Sequence, residues 1–441
     1  MNRNEQHISE RTLMPALPEL FTDKRKDKFL ILNPQGPWWF IGNQIHVDFL
    51  RLCDGKRSIL DIYELLVKDN EGLAINDLTL LAETLLSINF FTPGRNQLIN
   101  QYSTVHFYVT NRCNLECPFC FNDSSPSGRN GRHCELSADD WIDLACKVAA
   151  INPNAAISVS GGEPLLRKDI REIINGISRN NLNIRLITNG TLCDEAMTEF
   201  LSKIPGLKVQ VSIDSLIPEE NKQTRGLGSL DKALAAVLHM IAAGINVGIT
   251  STVTQVNLKN IWRMKNFCEQ HKIGFGTSYF FAAGERSQCN SKWLELEPGM
   301  ILESMHRNEK YSSEKNSDNI IPKAGIRRNH CGIGCGQLSI HPDGMVSPCR
   351  LLLDSSFYLG DVKENKLEQL LELGRQKFNF IGVDTMTCGC NICPVRYICV
   401  GGCKAMSFYH NNNLNSLPPN CSLLKKIYIE SLWNSVDVTD H

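Results

Sequence analysis

No stretch of this chain stays apolar for the roughly 20 residues that a helix needs to cross a bilayer, and its opening, MNRNEQHISERTLMPALPELF, lacks the apolar centre of an export signal. Charge of one sign is missing too. Lysine plus arginine number 46 against 47 for aspartate plus glutamate, which leaves no overall electrostatic footprint for nucleic acid or an anionic membrane. The expectation is a cytoplasmic protein with no nucleic acid and no membrane as partner, recognising its target locally. At 441 residues the chain has room for two or three domains, so core burial does not limit it.

Cysteine, by contrast, is abundant, with 18 in all. In a reducing compartment so many thiols argue against a disulfide framework and for bound metal. Cys113, Cys117 and Cys120 stand together, and Cys331, Cys335, Cys349, Cys390, Cys393, Cys399, Cys403 and Cys421 form a patterned array. The remaining seven (Cys53, Cys134, Cys146, Cys193, Cys268, Cys289 and Cys388) are scattered and read as small buried hydrophobes.

Apolar runs at 29–33 and 38–41, followed by amphipathic segments near 43–53, 58–69 and 75–90, predict a winged-helix-like unit over residues 24–98. From 99 to 304 strands alternate with helical patterns. The strands are TVHFYVT, AISVS, IRLIT, KVQVSID, NVGITSTV and GFGTSYFF. Six such repeats predict an α/β fold whose parallel sheet curls into a partial (β/α)6 barrel, with the chemistry at the C-terminal strand ends. A polar junction around 305–330 leads to a cysteine-rich region, 328–441, with little helical pattern beyond KLEQLLELGR. Such a region is expected to lean on metal for its fold.

Cys113, Cys117 and Cys120 form CxxxCxxC directly after the first strand of the repeat. Three thiolates on a 4Fe-4S cube leave one iron without a protein ligand. An open iron can be chelated by the amino and carboxylate groups of a methionine moiety, so that one electron cleaves a carbon-sulfur bond and frees a 5'-deoxyadenosyl radical. The second strand ends in SGGEP, where Gly161 and Gly162 permit close backbone approach and Glu163 offers an acceptor for a ligand ammonium. Together these motifs resemble the radical S-adenosylmethionine (SAM) superfamily. The resemblance implies that Phe119 packs near the adenine of the cofactor, and that Asn189, Ser212 and Arg225 lie near its ribose and carboxylate. For the last two, ordinary turn or surface roles remain open.

In the C-terminal array, C-x12-G-x4-C runs from Cys331 through Gly344 to Cys349, and CNICPVRYICVGGC gives CxxCx5CxxxC. This resembles the SPASM extension of radical SAM enzymes. The resemblance implies one auxiliary 4Fe-4S cluster on Cys331, Cys335, Cys349 and Cys403, and another on Cys390, Cys393, Cys399 and Cys421, three clusters in total. A zinc ribbon is the alternative for the CxxC pairs. Cys388 fits no slot. The N-terminal unit, with its DG turn at Asp54 and Gly55, resembles the PqqD-like leader-recognition domain. A DNA-reading winged helix is the alternative, disfavoured by the lack of a basic stripe.

The three resemblances imply a maturase of a ribosomally made precursor peptide, bound through its leader and reduced by flavodoxin or ferredoxin. The expected reaction is an oxidative intramolecular crosslink (carbon-carbon, ether or thioether), with epimerisation as the runner-up and a non-catalytic iron-sulfur electron-transfer protein as the rival of another class. Sulfatase-maturing relatives carry an acidic residue directly after the cysteine of the Gx4C element. Here that residue is Arg350, which speaks against formylglycine formation. Darobactin-type maturases are one candidate kind of crosslinking relative.

Overall fold

The computed structural model describes residues 8–17, 19–94, 102–128, 135–283, 288, 292–296, 299–300 and 327–434. Most of the polar junction, together with Cys134 and Cys289, lies outside them.

Near the N-terminus three antiparallel strands, β1 (Phe21–Arg25), β2 (Lys28–Asn33) and β3 (Trp38–Gly42), form a sheet of order β1-β2-β3. The sequence marked β2 and β3; β1, FTDKR, is too polar to be recognised by its pattern. Helices α1 (Gln44–Leu52), α2 (Ile59–Leu66) and α3 (Ile75–Ser87) follow. Ser58 opens α2 by accepting from the Asp61 amide while Asp61 accepts back from Ser58, satisfying otherwise orphaned donors. Phe29, Ile31 and Phe40 pack beneath these helices. Leu30, Leu32 and Trp39 point the other way, onto Val395 and Leu432 of the C-terminal region. Strand β2 reads as an unbroken apolar run because both faces of its sheet are covered.

The second sheet has nine strands, in the order β12-β11-β10-β4-β5-β6-β7-β8-β9. Strands β4 (Thr104–Tyr108), β5 (Ala156–Ser160), β6 (Asn183–Thr188), β7 (Lys208–Ser212), β8 (Asn246–Val253) and β9 (Gly274–Tyr279) are parallel neighbours. They form the partial (β/α)6 barrel. Helices α4 (Ala138–Ile151), α5 (Ile170–Ser178), α6 (Glu195–Ser202), α7 (Pro218–Arg225), α8 (Ser229–Ala242) and α9 (Ile261–Gln270) connect them. Alternation puts Val105, Phe107, Ile157, Val159, Ile184, Leu186, Val209 and Val211 under the helices and leaves the other face to line the interior. Trp141 of α4 is fully buried, its ring 4.9 Å from that of Phe107, a burial that stabilises by roughly 1.5–3 kcal/mol.

Strands β10 (Gln337–Ile340), β11 (Met345–Ser347) and β12 (Gly360–Asp361) extend this same sheet, with β10 parallel to β4. The cysteine-rich region is also more helical than its sequence suggested, with helices Leu367–Phe378, Arg396–Cys399, Lys404–Asn411 and Cys421–Asn434. The last of these touches the N-terminal sheet and the Cys393–Cys399 loop together, so its apolar residues are not confined to one stripe.

Candidate active site

The first cysteine loop leaves β4 and runs against the SGGEP turn after β5. The Gly162 amide donates to Thr110 O at 2.7 Å and the Glu163 amide to Arg112 O at 2.8 Å. A Cβ on Gly161 would lie 2.3 Å from Thr110 O, and one on Gly162 2.1 Å from Arg112 O. Glycine is needed because the strand leading to Cys113 passes there, so the close approach is first of all to the protein's own backbone.

Glu163 is fully buried. Its carboxylate accepts from Thr188 Oγ1 and the Asn189 amide, both at 2.7 Å, and from the Leu165 amide at 3.0 Å. Burial raises its pKa, and these donors work in the opposite direction. The side chain is thus a brace between the second and third strand ends, with Oε2 accepting a single bond, from the Asn189 amide. Asn189 carries the connection onward, its Nδ2 donating to Asn114 Oδ1 at 2.9 Å and lying 4.0 Å from Cys113 Sγ.

Arg225, at the end of α7, forks onto Asp214 with Nε-Oδ2 2.7 Å and Nη2-Oδ1 3.0 Å. Its guanidinium also lies 5.4 Å from the centre of the Phe119 ring, which stands 6.3 Å from that of Phe280. Asp214 is completely buried and accepts the Thr252 amide as well. Sequence reasoning passed over it, although it stands two residues after Ser212 in the same VSID run. Ser212 ends β7 opposite Thr250, on the interior face. Phe119, Arg225 and Cys117 are drawn together here, since Cys117 feels the charge of Arg225.

Burial lifts the thiol of Cys113 to about 11 and that of Cys117 to about 12, with each also feeling Cys120. Electrostatic proximity sorts the other cysteines into two groups. Cys331 acts on Cys335, Cys349 and Cys403, and Cys403 acts on Cys349. Separately, Cys421 acts on Cys390 and Cys399, and Cys393 acts on Cys399 and Cys421. Cys388 is exposed, lies beside Cys390 and Cys421, and approaches Asn415 O at 3.4 Å. Between the groups sits the buried Lys404, whose Nζ meets Met386 Sδ at 2.8 Å and Gly401 O at 3.3 Å.

No described cysteine is in a disulfide. Of the scattered ones, Cys53, Cys193 and Cys268 are buried, whereas Cys146 and Cys388 are exposed and so are not core hydrophobes. Among the described residues no three His, Cys, Asp or Glu side chains close on one point tightly enough for a single metal ion. A cube spreads its ligands over separate corners, wider than a tetrahedral zinc site. The donor set fits such a group: the Leu115 amide points at Cys113 Sγ at 3.4 Å, the Leu351 amide at Cys349 Sγ at 3.5 Å, and Gln337 Nε2 at the same sulfur at 3.8 Å. Donors aimed at sulfur stabilise thiolate charge.

Residues 107–268 match the Radical SAM superfamily model, and 331–404 match that of the SPASM iron-sulfur cluster-binding domain. A probable GTP 3',8-cyclase of Methanothermobacter thermautotrophicus is 30% identical over 60% of this chain and 90% of its own length. A PqqA peptide cyclase of Granulibacter bethesdensis is 25% identical over 71% of this chain and 86% of its own. In fold, the chain resembles Streptococcus suis SuiB bound to its precursor peptide SuiA, with a TM-score of 0.56 at 16% identity over 94% of this chain and 99% of that one. No described helix is long and apolar enough to cross a membrane.

Proposed function

The chain belongs to the radical SAM superfamily, and from that premise we propose that it matures a ribosomally synthesised precursor peptide by an oxidative intramolecular crosslink. What supports the reading is that the cysteines gather in three places, three on the loop after β4, four around Cys349 and four around Cys399 with Cys388 beside them. Cys113, Cys117 and Cys120 would hold the radical cluster. Cys331, Cys335, Cys349 and Cys403 would hold one auxiliary cluster, and Cys390, Cys393, Cys399 and Cys421 the other. When bound, the first cluster and SAM supply a 5'-deoxyadenosyl radical, and the auxiliary clusters an acceptor for the electron that a crosslink releases.

The chain's own residues bind and orient. Phe119 and Arg225, fixed by Asp214, form the wall against which the adenosine would rest, with Ser212 on the facing strand. Gly161 and Gly162 bring the backbone close. Glu163 acts indirectly, by locking Asn189 against the Cys113 loop. An amide that holds a ligating cysteine in place limits how far its iron can shift.

Residues 24–98 are the leader-recognition unit in this reading, 99–304 the radical core and 328–441 the auxiliary-cluster domain. Among the described residues β3 pairs with β2 alone, so its other edge is where an extended leader would add a strand beside α3. Tethering raises the local concentration of the core peptide to about the mM range. The electron donor would be reduced flavodoxin or ferredoxin, and the compartment the reducing cytoplasm. The relative described as a GTP cyclase makes a nucleotide substrate the competing idea, but the peptide cyclase matches a larger share of this chain. Anaerobic co-expression with a short reading frame beside the gene tests the proposal. A product lighter by two hydrogens is expected; an unchanged peptide mass under SAM cleavage would refute the crosslink.

A further inference from the structure

Across the interior of the sheet runs a row of side chains that the cofactor site does not use. Ser339 of β10 stands opposite His106 of β4, His106 opposite Ser158 of β5, Ser158 opposite Arg185 of β6, and Arg185 opposite Lys208 of β7. Their neighbours in the chain, Val105, Phe107, Ile157, Val159, Ile184 and Leu186, belong to the helix-covered core, so strand alternation turns this row inward. Arg350 joins it from the second cysteine group. Its carbonyl accepts from Tyr108 Oη at 2.9 Å, and its charge, like that of Arg185, reaches His106.

Two features of the row are unbalanced. Ser158 is 2% exposed, and among the described residues its hydroxyl meets no hydrogen-bond partner, a costly arrangement unless a ligand supplies one. Arg185 and Arg350 make no ion pair among the described residues, and no carboxylate stands in the row. His106 adds no positive charge near neutral pH, because burial and the two guanidiniums hold its pKa down to about 4. Arg185 and Arg350 are exposed, whereas Ser158 is buried, so the site presents two solvent-facing guanidiniums at the mouth of an unused hydroxyl and a neutral imidazole. Its fit is to a planar anion.

We propose that this row is a subsite for an acidic residue of the precursor peptide, an aspartate or glutamate whose carboxylate pairs with Arg350 and Arg185 and accepts from Ser158. The inference rests on the peptide reading above and narrows it to a substrate class. It also places the held residue beside the second cysteine group, since Gln337, in the same strand as Ser339, points at Cys349.

The test uses the cluster-reconstituted full chain and the capped peptides acetyl-Ala-Glu-Ala-amide, its glutamine and lysine counterparts, and GTP. Binding is read as broadening of the ligand proton resonances by the clusters after dithionite reduction to their paramagnetic state. The glutamate peptide should bind about tenfold or more tightly than the glutamine one, since charge-assisted hydrogen bonds outweigh neutral ones by that much. R350Q and R185Q should each erase most of this preference, with iron content and far-UV circular dichroism confirming the fold. An R185E/R350E double variant should favour the lysine peptide instead. Equal binding of the glutamate and glutamine peptides by the unaltered enzyme, a preference that survives both single variants, or tighter binding of GTP would overturn the proposal. SAM cleavage is measured separately. Its absence would sink the radical reading and leave the peptide comparison standing.

Discussion

The indole N–H of Trp433 donates to Asp23 Oδ2 at 2.8 Å, joining the last described helix to the first strand. Arg25 supports the same junction by stacking 4.8 Å from the Trp433 ring and pairing with Glu430. Farther along, Arg396 Nη2 pairs with Glu19 at 2.7 Å. Trp433→Ala should lower stability by about 1–3 kcal/mol, the range for truncating a partly buried aromatic, as read by chemical unfolding. Deleting residues 1–98 should in addition uncover Leu432 and Val395 and promote association, visible by light scattering, alongside the loss of precursor affinity.

Asp214 has no solvent to turn to if its partner changes, nor does Arg225 have a second carboxylate. Asp214→Asn should cost roughly 3 kcal/mol, since removing one partner of a buried pair strands the other charge. SAM affinity should fall in parallel. Arg225→Lys should retain the charge but lose the fork and the stacking on Phe119. Equilibrium dialysis with SAM checks both; unchanged affinity would remove Asp214 and Arg225 from the cofactor site.

His106 gives a pH signature of known sign. Its folded pKa of about 4 lies below the ordinary histidine value of 6.5, so between those values the unfolded chain binds the extra proton. The associated stability is fully present above about pH 6.5 and is lost as pH falls toward 4. The amount is roughly 3 kcal/mol. His106→Gln should flatten that part of the stability curve relative to the parent, measured on apo-protein by urea unfolding at stepped pH.

Cys335 and Cys388 separate ligand from bystander. Cys335 shares its surroundings with Cys331, and its sulfur also lies 3.5 Å from the His330 ring nitrogens. Cys335→Ser should lower the iron content by about four of the 12 irons that three cubes hold. Cys388→Ser should leave the total intact. A reversed result would show that Cys388 is the ligand and would redraw the third group.

Much of this arrangement could be read from the sequence because it is local. NVGITSTV alternates as a strand must, and β8 shows Val247, Ile249, Ser251 and Val253 buried in turn. CxxxCxxC and SGGEP are contiguous words on adjacent strand ends. What escaped depends on distant pairings. QLSI carries no sign that it will lie beside TVHFY more than two hundred residues earlier, nor does Asp214 announce a fork with Arg225. Glu163 stands out in the sequence within SGGEP, but its brace does not, because that exists only once Thr188 and Asn189 have been brought to it. The extra C-terminal helices were hidden for another reason. Cys421–Asn434 packs on more than one side, so its apolar residues show no single stripe.

Because β10 is hydrogen-bonded directly to β4, the strand that leads into Cys113 and the strand that leaves Cys335 are adjacent, about 4.8 Å apart, with the two cysteine segments at opposite strand ends. No linker intervenes there. Tyr108 stands at that seam, tied to Arg350 O and within electrostatic reach of both Cys120 and Cys349. The separation of those two strands is therefore a constant of the peptide geometry, settled when the sheet assembles and indifferent to any hinge elsewhere in the chain.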